Sequence, residues 1–391
     1  MTDVQLLSAV LAALYLWECA CWLRRGSVAF TTWLARSWQL HHPGSLIGNQ
    51  RGGFIFAAPL PPLGTILTAN QPPLSLSPGG VFAFVSVNIN PGLRGTQSGR
   101  FLRFDEIREI RARGRKLLIN GELFFSFFSA ALARHTAADL EALRQLKPAQ
   151  REAAIADRLR SALDAKTAER RWNKAKPLAK PVRLLSNALF FYLFAFVPFL
   201  IWRFGLLSSW LNLLLGLFAL TAVTAFLFRR AHLRLFPKAE DERFTHTLTI
   251  FLAPTSAMRA HDALLRPLVE TFHPLAPAKV FLSENSFRDF ARRVLLDLRH
   301  PALPVCPRDE PQACATEAHH RNALRVAVEK FLKQSGIEPE ALCRAPAPLD
   351  ESCRAYCPRC ETQFTNVDGQ CADCGGLTLL ELPKTSRATA A

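Results

Sequence analysis

Two apolar runs joined by three residues constrain this chain more than any other feature. Leu184–Trp202 and Leu206–Phe228 each have the length a bilayer core demands, about 20 residues at about 1.5 Å rise. Neither contains an Asp, Glu, Lys or Arg. Only Arg203-Phe204-Gly205 separates them. So short a link cannot recross a membrane, so the two runs must be antiparallel neighbours. The expectation is a transmembrane hairpin over 184–228.

A third apolar run, Val4–Leu23, ends at Arg24 and Arg25. Its charges follow the apolar stretch, whereas a secretory signal carries them in front and ends at a small-residue cleavage site. The reading is an uncleaved anchor over 4–23 with its N-terminus outside. Glu18 is the one acid in it; near a helix end it can reach the headgroups and pair with Arg24 or Arg25. Basic residues set orientation. Arg24, Arg25, Arg36, Lys174, Lys176, Lys180, Arg183, Arg229, Arg230, Arg234 and Lys238 flank one side, and Arg203 alone the other. This asymmetry expects a multi-pass protein of the cell (inner) membrane, with both soluble regions in the cytosol. It also accounts for part of the net charge of +16 without nucleic acid, which is not an expected partner. The lipid bilayer is one, and another membrane-associated protein a second.

Between the anchor and the hairpin the reading places a β domain over 37–146 with its core at 74–146. Segment 37–71 is rich in Gly and Pro, with one strand expected at Gly53–Ala58. The adjacent pair His41-His42 points to opposite faces of an extended chain, so it is not read as a metal site. Leu74–Leu76, a Pro78-Gly79-Gly80 turn and Val81–Val87 read as strand, turn, strand. A glycine-rich loop, Asn90–Gly99, leads to Arg100–Ile110. Lys116–Ile119 and Glu122–Phe125 flank Asn120-Gly121, a strong hairpin signal because both positions tolerate positive φ. Ser129–Leu146 has the helical period, with Leu132, Leu140, Leu143 and Leu146 on one side.

The stretch RFLRFDEIREIRARGRKLLINGELFFSFF resembles the bacterial PH-like and GRAM-like families, in which strands are followed by one helix that caps a small barrel. The resemblance covers about Leu74–Leu146. It implies a core of Val81, Ala83, Val85, Phe104, Ile107, Leu118 and Leu140 or their neighbours, and binding of lipid headgroups or proteins. Arg108, Arg111, Arg113, Arg115 and Lys116 cluster around Gly114. They are the candidate lipid- or partner-binding residues, although generic attraction of a basic turn to an anionic leaflet needs no pocket.

Segment 147–183 reads as a basic helical linker. Beyond the hairpin, 239–345 reads as mainly helical, after a strand expected at Arg243–Leu252. Its best helix is Ser286–Leu298, with Ser286-x-x-Asp289 as a capping box, followed by one near Thr316–Gln334. Cys306, Cys314, His319 and His320 lack metal spacing and read as thiols and imidazoles of a reduced compartment.

The chemistry-bearing pattern is at 356–382. Cys357-x-x-Cys360 and Cys371-x-x-Cys374 form two knuckles whose four thiolates can surround one ion tetrahedrally. Cys353 lies four residues before Cys357 and fits less well. Together with Phe364 and Leu377–Leu380, the segment strongly resembles a zinc ribbon, departing from it where Glu361 and not Gly follows Cys360. The resemblance implies one structural Zn²⁺ with no open coordination position, serving a protein-docking knob or a folding staple. Residues 383–391 read as a disordered tail. The chain shows no phosphate loop, nucleophile-base order or dinucleotide fingerprint, so no enzyme is expected.

The expected fold is thus a multi-domain α+β membrane protein: three transmembrane helices, a PH-like barrel with its C-terminal helix, a small helical region and a zinc ribbon. The expected function is a non-catalytic membrane-anchored adaptor or regulator. The alternative is an accessory subunit of a membrane enzyme or transporter whose active chain is separate.

Overall fold

The computed structural model describes residues 2–22, 27–32, 37–41, 64–70, 74–85, 98–127, 129–301, 310–374 and 376–383. It is a mixed α+β structure of helices and small sheets. Two compact units interleave along the chain, the first from Met1–Gln71, Ala130–Leu132 and Asp164–Ser283, the second from Pro72–Ser129, Ala133–Leu163 and Glu284–Ala391.

The first unit is built on the hairpin. One helix runs from Ala165 to Phe191, passes through a π-helical turn at Tyr192–Phe196, and ends as Val197–Phe204. Gly205 makes the reversal at φ 78°, which a Cβ would strain. Leu206–Leu235 returns as one helix. The two helices are long and apolar enough to cross a membrane. Only 28% and 22% of their apolar windows are buried, whereas a soluble core helix would be mostly covered. Phe199, Trp202, Leu215 and Phe226 are among the exposed side chains.

The helices meet through a close contact. A Cβ on Gly216 would fall 2.4 Å from Tyr192 Oη. The Tyr192 hydroxyl donates to the Leu213 carbonyl across the interface at 2.7 Å. Small residues at membrane helix interfaces permit this approach. The N-terminal helix, Asp3–Trp22, packs Tyr15 against Phe190 and Phe194. Its apolar part, Val4–Trp17, is shorter than the hairpin helices. Glu18, Arg24 and Arg25 lie outside the described side chains, as does the strand expected at Gly53–Ala58.

Lys174–Arg183 is helical despite Pro177 and Pro181, and Ala175, Ala179 and Val182 are buried. The strand expected at Arg243–Leu252 is corrected to a helix, Glu240–Leu252. Phe244, Leu248 and Leu252 are four apart, a spacing that lies on one face of a strand and of a helix alike. Glu240, Asp241 and Glu242 in the first turn decide for the helix by facing its positive end. The first unit also holds an antiparallel sheet in which Ser27–Thr32 pairs with Gln39–His41 and Thr65–Asn70. Residues expected to approach the β domain therefore build this sheet instead. Trp38, Trp172 and Phe30 contact Phe281 beside it.

In the second unit, Leu74–Leu76, Gly80–Val85 and Ser98–Arg103 form one antiparallel sheet; Ile110–Arg113, Lys116–Ile119 and Glu122–Ser126 form another. No strand pairing joins the two sheets among the described residues. Asn120 and Gly121 turn the second hairpin at φ 53° and 82°. The Asn120 side chain accepts from the Arg108 and Glu109 amides and donates to Glu106 O. Val81, Ala83, Phe104, Ile107 and Leu140 are buried as expected, but Leu117 and Ile119 are the buried pair, not Leu118. A strand flips faces at each residue, so a one-residue error in register exchanges core and surface.

The helix covering the first of these sheets is Pro311–Gln334, which packs Ala313 and Cys314 on Phe82 and Phe101. Ser77 Oγ meets Thr316 Oγ1 at 3.0 Å. Arg151, from helix Pro148–Ala162, donates to Pro78 O, Leu143 O and Leu146 O and stacks 4.7 Å above Phe104. Helix Glu284–Arg299 starts two residues before the expected capping serine. Cys314 is disulfide-bonded, which corrects its reading as a free thiol; its partner is not among the described side chains.

Candidate metal centre

Residues 355–381 make five two-residue strands, in a module small enough that a bound metal would supply much of its folding energy. Ala355–Tyr356 pairs with Gln363–Phe364 and Leu380–Glu381, and Gln370–Cys371 pairs with Leu377–Thr378. Each knuckle grows from one strand end. The Cys357 amide donates to Thr362 O, and the Glu361 amide returns to Cys357 O at 2.9 Å. The second knuckle closes through Ala372–Cys374 and the Gly376 amide, which donates to Cys371 O.

These turns bring Cys357, Cys360, Cys371 and Cys374 together, every Sγ within 4.8 Å of the others. None is in a disulfide. Cys357, Cys371 and Cys374 are buried among Ala355, Leu379, Phe364 and Leu377, while Cys360 is exposed. Cys353 stands outside the cluster. Burial pushes the Cys360 thiol up, but hydrogen bonds from Thr362 and the other cysteines override it and bring it to about 7. Burial raises Cys371 and Cys374, and their neighbouring thiols add to the rise. Four thiolates this close repel one another unless a cation sits between them. The donor set therefore fits a metal ion.

Glu361 occupies the left-handed region at φ 60°, where glycine is the easy residue. Its carboxylate is ion-paired with Arg292. On the other side of Cys360, Arg359 is ion-paired with Asp297. Both partners belong to helix Glu284–Arg299. The first knuckle is thus fastened to that helix on either side of its second ligand.

The basic residues around Gly114 are all exposed: Arg108, Arg111, Arg113, Arg115 and Lys116. Arg111 is paired with Glu109, and Arg113 faces Lys116 across the hairpin. The tip is a turn with Gly114 at φ 57°. His41 Nε2 lies 3.0 Å from Thr31 Oγ1. His319 pairs with Glu152 at 3.2 Å.

A buried polar group in the first unit has no counterpart in the expectations. Arg259, His261 and Asp262 are fully buried. Arg259 pairs with Asp262 at 2.5 Å. Asp262 Oδ1 accepts the Ile66 amide, and His261 Nε2 meets Gly64 O at 3.0 Å. The group pins helix Ala260–Leu265 to strand Thr65–Asn70. Burial lowers the pKa of His261, with Asp262 opposing and Arg259 assisting. Arg259, Asp262, Arg266 and Glu270 recur at three- and four-residue spacing, which reads as a solvated salt-bridged face. The surrounding Ala260, Leu264, Leu265 and Leu268 were the signal for burial. The chain matches no family model, no curated protein and no solved structure.

Proposed function

We propose that this chain is a membrane-anchored, non-catalytic adaptor or regulatory protein that presents a zinc-stabilised module to a membrane-associated partner. The observation that carries the reading is the closed four-cysteine cluster on a chain with two membrane-length helices. Zn²⁺ is the ion of choice. A tetrahedron with Zn–S of about 2.3 Å has edges of about 3.8 Å, and Cys360 Sγ lies 3.7 Å from Cys371 Sγ. Four thiolates fill the sphere, so the ion is structural and leaves no position for water. The N-terminal helix is the third span, and the basic tip at Arg108–Lys116 faces the anionic leaflet. The 74–146 region works as a PH-like binding module.

The test is affinity purification of the full chain in mild detergent, with and without Cys371→Ser. A membrane-associated partner that co-purifies with the metal-loaded chain and is lost from the variant supports a docking role. A partner retained by the variant reduces the ribbon to a staple. A dominant integral-membrane enzyme or transporter favours the accessory-subunit alternative.

A further inference from the structure

After the hairpin the chain doubles back. Helix Glu240–Leu252 runs antiparallel along helix Leu206–Leu235, with ring contacts between Phe228 and His246 at 6.1 Å and between Phe218 and Phe251 at 5.2 Å. Phe218 lies about 16 Å along the helix from Arg229, at about 1.5 Å per residue. The short helix therefore reaches well inside the layer that the hairpin crosses. It is dressed for that environment. Thr245, Thr247 and Thr249 return their hydroxyls to the carbonyls four residues back, so their polar atoms need no water. Phe244, Leu248 and Leu252 are exposed along one face.

Between these helices lies a cavity of about 580 Å³, within the range of small-ligand sites. Its apolar part is lined by Ala222, Ala225, Phe226, Leu248 and Phe251. Arg229, Glu240 and Arg243 line the other end. The Arg243 side chain is only 12% exposed, and Glu240 touches it loosely at 3.6 Å. Its Nη1 is buried with no hydrogen-bond partner. Two guanidinium groups thus face one carboxylate, at the rim of a greasy slot.

We propose that this cleft binds one anionic glycerophospholipid, the phosphate held by Arg229 and Arg243 and one acyl chain lying against Ala222, Ala225 and Phe251. Guanidinium suits phosphate because its planar donors engage two oxygens at once. The excess of one positive charge selects an anionic lipid over a zwitterionic one. The proposal rests on the hairpin being in a bilayer, and the experiment separates the two claims.

Membranes carrying the full chain are washed with alkaline carbonate and then solubilised. The purified protein is exchanged into detergent, and native mass spectrometry reads its binding of phosphatidylglycerol and phosphatidylcholine. A chain released by carbonate alone overturns the membrane reading and the site with it. A chain that stays in the membrane should prefer phosphatidylglycerol by about tenfold or more, given two basic contacts. Arg229→Gln with Arg243→Gln should erase that preference, and the corresponding double Lys variant should restore most of it. Ala225→Trp should fill the slot and remove both lipids. A membrane-retained chain with no preference, a preference untouched by the double Gln variant, or full lipid binding by Ala225→Trp overturns the site alone.

Discussion

Glu361 shows how one residue serves two ends. A non-glycine residue in the left-handed region costs on the order of 1 kcal/mol, and a half-exposed ion pair contributes about the same or less. Glu361→Gly should therefore leave global stability within about 1 kcal/mol and preserve metal binding, while freeing the first knuckle from Arg292. Hydrogen exchange checks this: helix Glu284–Arg299 should exchange faster near Arg292, with metal content unchanged. Arg151 is the opposite case, a charge with many partners. Its guanidinium satisfies the carbonyls of Leu143 and Leu146 at the end of helix Ala130–Gln145, and Pro78 O as well. Charged hydrogen bonds are the strong ones, so Arg151→Ala should cost about 2 kcal/mol, read by denaturant melts of the second unit. His320 adds a pH dependence. Burial first, and then the charge of His319, lower its pKa from 6.5 to about 4. A depressed histidine leaves full stability above its unfolded pKa, and protonation of the unfolded chain removes it below. The second unit should lose stability as pH falls from 6.5 toward about 4, and His320→Gln should flatten that limb.

Elements were legible where local chemistry and period agreed. The hairpin needed only apolar length and Gly205, and the knuckles only cysteine spacing. The Asn120-Gly121 turn follows from two positions that accept positive φ. Helix Glu240–Leu252 was misread because its four-residue spacing satisfies two periods. The sheet of Ser27–Thr32, Gln39–His41 and Thr65–Asn70 was not legible, since the pairing of its first and third strands, from Ser27 with Asn70 to Thr32 with Thr65, spans a sequence separation that no local pattern records. The same is true of the Arg359–Asp297 and Arg292–Glu361 clasp. That clasp changes an expectation: metal loss should not spare everything outside the ribbon. Removing the proposed zinc ion, or Cys371→Ser, should unfold 356–382 and also expose the surface of helix Glu284–Arg299 to exchange, while the hairpin stays protected. The hairpin itself should fail through Gly216. With a Cβ destined for a point 2.4 Å from Tyr192 Oη, Gly216→Leu should force the helices apart at a cost of about 2 kcal/mol. Loss of a crosslink between engineered cysteines across the pair would show it.

For the molecule as a whole, orientation is where two observations pull in opposite directions. Eleven Lys and Arg flank one side of the expected spans and Arg203 alone the other; the proposed topology, with the basic side in the cytosol, predicts Glu141, Arg288 and Cys360 inside and Asp3 and Ser208 outside. The Cys314 disulfide favours an oxidising compartment, because cytosolic pools keep thiols reduced. Charge is the stronger argument. It acts during insertion and is fixed by the sequence, whereas a disulfide depends on the oxidant available after folding. Cysteine placed at Ser208 should therefore react with a membrane-impermeant thiol reagent in intact cells, and cysteine placed at Arg288 should react only after permeabilisation. Acid trapping with mass spectrometry then reads Cys314 in the same cells. A reduced Cys314 with label at position 208 alone supports the cytosolic second unit. Label at position 288 in intact cells, together with an oxidised Cys314, inverts the topology: the clasped four-cysteine module would then face out, and the basic flanks would have lost the decision to the folded domains between them.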